Sequence, residues 1–135
     1  MRYLAIDAGG KRTGLAMGDD LMRIASPVDV IEASEEGHRF RLLLEAVAEH
    51  EPDALVLGLP LNMDGSEGPA SAAMRRLAQQ LGQATGLVVH LVDERLSSHA
   101  AEQGLRDRGL SHRDKRRRRD ALAAAVILKD FLDRA

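Results

Sequence analysis

The order of apolar runs predicts an α/β fold: a mixed five-stranded sheet in the order three-two-one-four-five, with helices on both faces. Three observations carry this expectation. Three short strand-like runs fill residues 2–31, the first two joined by a glycine-rich turn, which reads as an antiparallel meander. Two later runs, 54–59 and 87–92, are apolar without alternation, as parallel strands covered on both faces are. Stretches with helical apolar spacing separate and follow them, so each late strand is reached by a right-handed crossover.

Strands one and two are predicted over 2–6 and 14–18, and strand three over 24–31 with Pro27 suiting an edge position. Ser34 is a suitable N-cap for a helix carrying Phe40, Leu43, Leu44 and Val47, which should stop before Pro52. Strand four covers 54–59. The loop 60–68 is dense in turn formers, and Pro69 suits the first position of a helix reaching about Ala84. Strand five covers 87–92. Ser98 can cap a short helix ending at Gly104 or Gly109, a basic mobile segment follows, and the final helix is predicted over 120–132.

The chain of 135 residues fits a single domain, residues 1–135. No window has the length of a transmembrane helix, and charges interrupt the first apolar run too early for a secretory signal. Cysteine is absent, which excludes disulfides and thiolate metal sites. A cytoplasmic protein with no membrane partner is expected. The net charge of −2 hides an asymmetry, because residues 103–119 hold eight Lys/Arg against two acids, leaving −8 elsewhere. With Tyr3, Phe40 and Phe131 the only aromatics, a base-stacking platform for single strands is not expected.

Three carboxylates stand out. Asp7 ends strand one, where burial is costly unless it meets a proton, a cation or a metal, although such an aspartate also serves the turn it precedes. Glu94 ends strand five, on the side where open α/β sheets place ligands. Asp93 or Glu94 can instead pair with Arg95 or cap the next helix. Asp120 shares a helical face with Ala123, Ala124, Ile127 and Phe131, the stripe that should dock on the sheet. A helix N-terminus also favours an acid by itself. In the expected strand order Asp7 and Glu94 share one side of the sheet with one strand between their own, and the last helix can carry Asp120 over them. Clustered carboxylates repel, and a divalent cation relieves them. Oxygen-only ligands suit Mg²⁺ or Mn²⁺, and such a site suits attack by water on a phosphodiester.

The segments DAGGKRTGLAMGD, GLPLNMDGSEG, VDERLSS and DALAAAVIL together resemble the YqgF/RuvX family over almost the whole chain. The resemblance implies a ribonuclease H-like fold, with Asp7, Glu94 and Asp120 as the catalytic and metal-holding acids. It also implies a nuclease acting at the 5′ end of the small-subunit rRNA precursor in a bacterial cytoplasm. An older assignment for the family is Holliday-junction resolvase. The chain departs from the family pattern at Gly10, usually a larger residue, at Thr13, usually aliphatic, at Gly18, commonly serine, and at Ser97-Ser98, usually threonines.

Nucleic acid is the expected partner, RNA ahead of branched DNA, bound by a monomer or homodimer. Lys11 and Arg12, beside Asp7, can grip a phosphate, or stand as a solvated hairpin tip. Lys115, Arg116, Arg117, Arg118 and Arg119 end directly on Asp120, so a strand held by them would pass close to the acids. Asn62, Asp64 and Ser66 read as turn and capping residues, and only the resemblance makes Asn62 and Asp64 substrate contacts; Arg95, beside Glu94, is a further expected nucleic-acid contact. No histidine has metal-ligand spacing. His90 reads as an ordinary core or edge residue, while His99 and His112 flank the predicted site. Rival readings are a DNA junction resolvase, a non-catalytic RNA-binding factor, and a phosphate turn of the kind found in sugar kinases and actin-like ATPases. The last lacks a second lobe to close on ATP.

Overall fold

Alternation along the strands divides the core in two. In the computed structural model, which describes residues 1–94 and 112–134 with the side chains of 112–114 excepted, eight elements follow one another. They are β1 (Arg2–Ala8), β2 (Arg12–Asp19), β3 (Ala25–Glu32), α1 (Glu36–His50), β4 (Ala54–Leu59), α2 (Pro69–Thr85), β5 (Val89–Asp93) and α3 (His112–Arg134). The sheet runs β3-β2-β1-β4-β5, antiparallel across the meander and parallel from β1 to β5. This is the predicted order.

Leu4 and Ile6 of β1, with Leu55 and Leu57 of β4, face Leu43 of α1 and Met74, Leu77 and Leu81 of α2. The intervening residues Tyr3, Ala5, Ala54 and Val56 face Ala124, Ile127, Leu128 and Leu132 of α3 on the other side. A strand turns successive side chains to opposite faces, so each central strand serves both cores. Tyr3 packs edge-on against Phe131, with ring centroids 5.1 Å apart, and His90 lies 4.9 Å from the same ring. His90 is thus a packing residue, as expected, and two of the three aromatics are spent inside.

Several predicted boundaries move. β1 and β2 each extend into the turn, to Ala8 and from Arg12, because pairing continues through Asp7↔Gly14 and Ala8↔Thr13. β3 lies at the sheet edge as Pro27 suggested. Its pairing steps from Asp29 to Pro27 opposite Leu15 and Ala16, leaving Val28 as the extra residue of a bulge. β5 starts at Val89 rather than position 87 and ends on Asp93. Ser34 does not cap α1: the N-cap is Glu35, and no side chain caps it. Pro69 does open α2.

The largest correction concerns α3. The predicted loop ahead of Asp120 is helical from His112, so the basic run 115–119 belongs to the helix and Asp120 lies well inside it. A helix-terminal role for Asp120 therefore falls away. The proposed short helix at Ser98, together with Arg95, Ser97 and His99, lies outside the described residues. No helix among the described residues is long and apolar enough to cross a membrane.

Candidate active site

Asp7 leaves β1 on the face that α3 covers. Its register partner on β2 is Gly14, and the pairing of Ile6 with Leu57 continues to set Asp7 level with Gly58 on β4. Two glycines thus flank the carboxylate on the sheet, and each makes room for another acid. A Cβ at Gly14 would collide with the backbone carbonyl of Asp120, so α3 touches the sheet there main chain to main chain. At Gly58, a Cβ would stand 2.5 Å from Glu94 Oε2 and 2.9 Å from Ile127 Cδ1. The space that a side chain of β4 would fill is occupied by the Glu94 carboxylate. Its backbone is held there by the Glu94 N–H, which donates to the Leu59 carbonyl at 3.3 Å.

The strand between Asp7 and Glu94 therefore does not separate them, and the two carboxyl groups share a hydrogen bond. Two anions cannot share one while both are ionised, so a proton sits between them when no cation does. Burial first, then the hydrogen bond and charge of Asp7 and the charge of Asp93, push the Glu94 carboxyl from 4.5 up to about 8. Asp7 is raised as well, chiefly by burial and further by the charge of Asp120, against the opposing hydrogen bond from Glu94.

Asp120 is close enough for its charge to act on Asp7, but its Oδ2 accepts a 2.6 Å hydrogen bond from Arg12 Nε. The structure thus joins Asp7 to Glu94 and joins Asp120 to Arg12. Among the described residues no three His, Asp or Glu side chains stand as a ready-made metal cage. The Asp7–Glu94 pair itself fits a divalent cation: all its donors are oxygens, it is largely shielded from water, and it already needs one positive charge to ionise fully.

The remaining predicted contacts divide. Asn62 and Asp64 are engaged inside their loop: Asn62 Nδ2 donates to Ser66 Oγ at 3.0 Å, and the Ser66 N–H and hydroxyl donate to Asp64 Oδ1 at 2.9 and 2.6 Å. Arg117 is engaged too, donating to Glu32 Oε1 at 2.8 Å and lying 3.7 Å from Asp29 Oδ1, which ties α3 to the edge strand. Arg116, Arg118 and Arg119 are exposed, while Lys115 is half-buried. Lys11, Arg12 and Arg116 line a common cavity with Ser34 and His38. Sequence reasoning missed Gly58, although an isolated glycine in the apolar run ALVLGL is a signal of close approach. It also missed the Arg12–Asp120 pair, which no local pattern announces because 108 positions separate its members.

A five-stranded mixed sheet in the order 3-2-1-4-5 with helices on both faces is the ribonuclease H-like fold. A family profile described as "RuvX: Holliday junction resolvase" matches residues 1–134, and the chain belongs to that family. A relative from Anaeromyxobacter sp. (strain Fw109-5), named "Putative pre-16S rRNA nuclease", is 47% identical over 133 residues, covering 98% of this chain and 97% of its own length. Two solved structures share the fold. The fowlpox virus Holliday junction resolvase superposes with a TM-score of 0.62 at 12% identity over the full length of both chains. RuvC of T. thermophilus, in complex with a Holliday junction substrate, gives 0.59 at 18% identity over 99% of this chain and 95% of its own. With this membership the chain is an enzyme, a hydrolase of phosphodiester bonds.

Proposed function

We propose that this chain is an endonuclease dependent on a divalent cation, Mg²⁺ or Mn²⁺, that cuts RNA in the cytoplasm, processing the 5′ end of the small-subunit rRNA precursor. The observation that carries the chemistry is the half-buried Asp7–Glu94 pair lodged against Gly58. The near full-length likeness to relatives named for pre-16S rRNA supports the substrate.

Asp7 and Glu94 would hold the ion between them, with Asp120 completing the set from above. A bound divalent ion supplies positive charge against the phosphate and its departing oxygen. Asp7 and Glu94 must shed their shared proton to take it, so loading releases a proton. Arg12 fixes the Asp120 carboxylate and leaves one of its oxygens for the ion. Gly14 lets α3 approach closely enough for Asp120 to reach the pair. Lys11, Arg12, Lys115, Arg116, Arg118 and Arg119 would hold the backbone by charge, with Arg95, Asn62 and Asp64 as further contacts. Arg117, assigned with them on sequence, is better read as an anchor of α3.

The description of the family profile favours a second reading, cleavage of four-way DNA junctions. The test is incubation with Mg²⁺ or Mn²⁺ and a panel of single-stranded RNA, rRNA-precursor end fragments and four-way junctions. RNA cleavage should fall about a hundredfold or more in each of Asp7→Asn, Glu94→Gln and Asp120→Asn, since each removes an anionic donor. Paired symmetrical nicks in junctions, without RNA cleavage, would move the assignment to the second reading. RNA binding without cleavage, unchanged in Asp7→Asn, would favour a non-catalytic factor.

A further inference from the structure

Beside the acids, and separate from them, three parts of the chain close around a cavity of about 530 Å³. The hairpin tip contributes Lys11 and Arg12, the corner between β3 and α1 contributes Glu32, Ser34 and His38, and the first turns of α3 contribute Arg116. The Ala33 N–H donates to the Lys11 carbonyl at 2.9 Å, which fixes the corner against the tip.

The charges in this cavity are unevenly matched. Glu32 is engaged by Arg117, and Arg12 by Asp120. Lys11, His38 and Arg116 have no acidic partner among the described residues, so two full cations and an imidazole face a space whose lining carboxylate, Glu32, is already shared with Arg117. Converging like charges are costly unless an anion joins them. Ser34, which the sequence offered as a cap, lines the cavity instead, where its hydroxyl can serve as a neutral donor. Arg12 borders the cavity while bonding Asp120, so an anion seated there lies one side chain away from the acid set.

We propose that this cavity seats one backbone phosphate neighbouring the bond to be cut, gripped by Lys11, His38, Arg116 and Ser34. The inference rests on the nuclease reading, because the strand held is the strand cleaved. It adds Ser34 and His38 to the substrate contacts and makes Arg12 the link that sets the distance between the held phosphate and the acids. A neutral strand, or one interrupted at that linkage, would lose its register over Asp7 and Glu94.

Two measurements test it. Inorganic phosphate titrated into the metal-free protein should give saturable NMR shifts at Lys11, Ser34 and His38, weakened about tenfold in Lys11→Ala and in His38→Ala, the size of one lost charge-assisted contact. Uniform or absent shifts would overturn the site. In the second, RNA strands carrying a single neutral methylphosphonate at successive positions are bound to Asp7→Asn, which avoids cutting. One linkage next to the cleavage position should weaken binding about tenfold, and the same substitution should cost several-fold less in Asp7→Asn/Lys11→Ala or Asp7→Asn/His38→Ala, each of which has already lost one of the contacts to it. Equal sensitivity in the double variants, or no sensitive linkage, would refute the proposal. A sensitive linkage in a wild-type protein that cuts no RNA would instead remove the nuclease reading and leave the phosphate seat standing.

Discussion

At Asp7 and Glu94 the sheet holds two carboxylates so close that one must keep its proton when no cation is present. The direction of the resulting pH dependence follows from linkage. Below about pH 4.5 Glu94 is protonated in both the folded and the unfolded chain, and its contribution cancels. Between there and about 8 the unfolded chain releases a proton that the folded one retains, so stability falls as pH rises through that window. Thermal melts of metal-free protein should show this decline, and Asp7→Asn should flatten it by removing the like charge. Mn²⁺ should raise the melting temperature more at about pH 8 than at about pH 5, because only at high pH does the cation relieve a standing repulsion. Equal shifts at both would mean that the pair does not hold the ion. A second residue concerns packing alone. Thr13 is buried, and its hydroxyl has no hydrogen-bond partner among the described residues. Thr13→Val keeps the shape and removes the stranded polar group, so denaturant unfolding should show a gain of about 1 kcal/mol.

The elements differ in how plainly they were written in the sequence. The five strands and their order were legible because each apolar run is short and bounded by clear turn residues, and β4 is apolar throughout, as a strand covered on both faces is. The start of α3 was not, since residues 112–119 carry no apolar stripe to reveal a helical period. The high helix propensity of Arg and Lys was the available signal. Arg119→Pro tests the assignment directly. If α3 runs from His112, proline at an exposed interior position costs about 3 kcal/mol or more, since it removes the hydrogen bond to Lys115 and its ring meets that carbonyl. In a loop the same change would be nearly neutral in an unfolding titration. The site was legible in part. Asp7 and Glu94 each end a strand, and strand order alone sets them on one side of the sheet. Their hydrogen bond across β4 depended on Gly58, a residue that does no chemistry and acts only through the side chain it lacks.

Across the whole molecule the charge is segregated: residues 103–119 carry a local +6 against a remainder of −8, and the cationic end of α3 runs straight to Asp120. Segregation of this kind matters for a polyanion, which meets the basic end first and is turned from the acidic remainder. The helix, however, does not present its arginines equally. Arg116, Arg118 and Arg119 are exposed, whereas Arg117 points to β3 and is bound to Glu32 and the Val30 carbonyl. Replacing the three exposed arginines with alanine should therefore weaken nucleic-acid binding and flatten its dependence on salt. The slope of log K against log salt should lose about 0.7 for each phosphate contact removed from a single strand. Arg117→Ala should leave that slope nearly unchanged and lower stability by up to about 1 kcal/mol, the range for a partly exposed ion pair. Binding titrations over a series of salt concentrations, paired with denaturant unfolding of each variant, separate the two roles. If Arg117→Ala flattened the slope as much as loss of the other three, the helix would be gripping the strand with the face now turned to the sheet edge. Its docking against β3 would then have to open when substrate arrives.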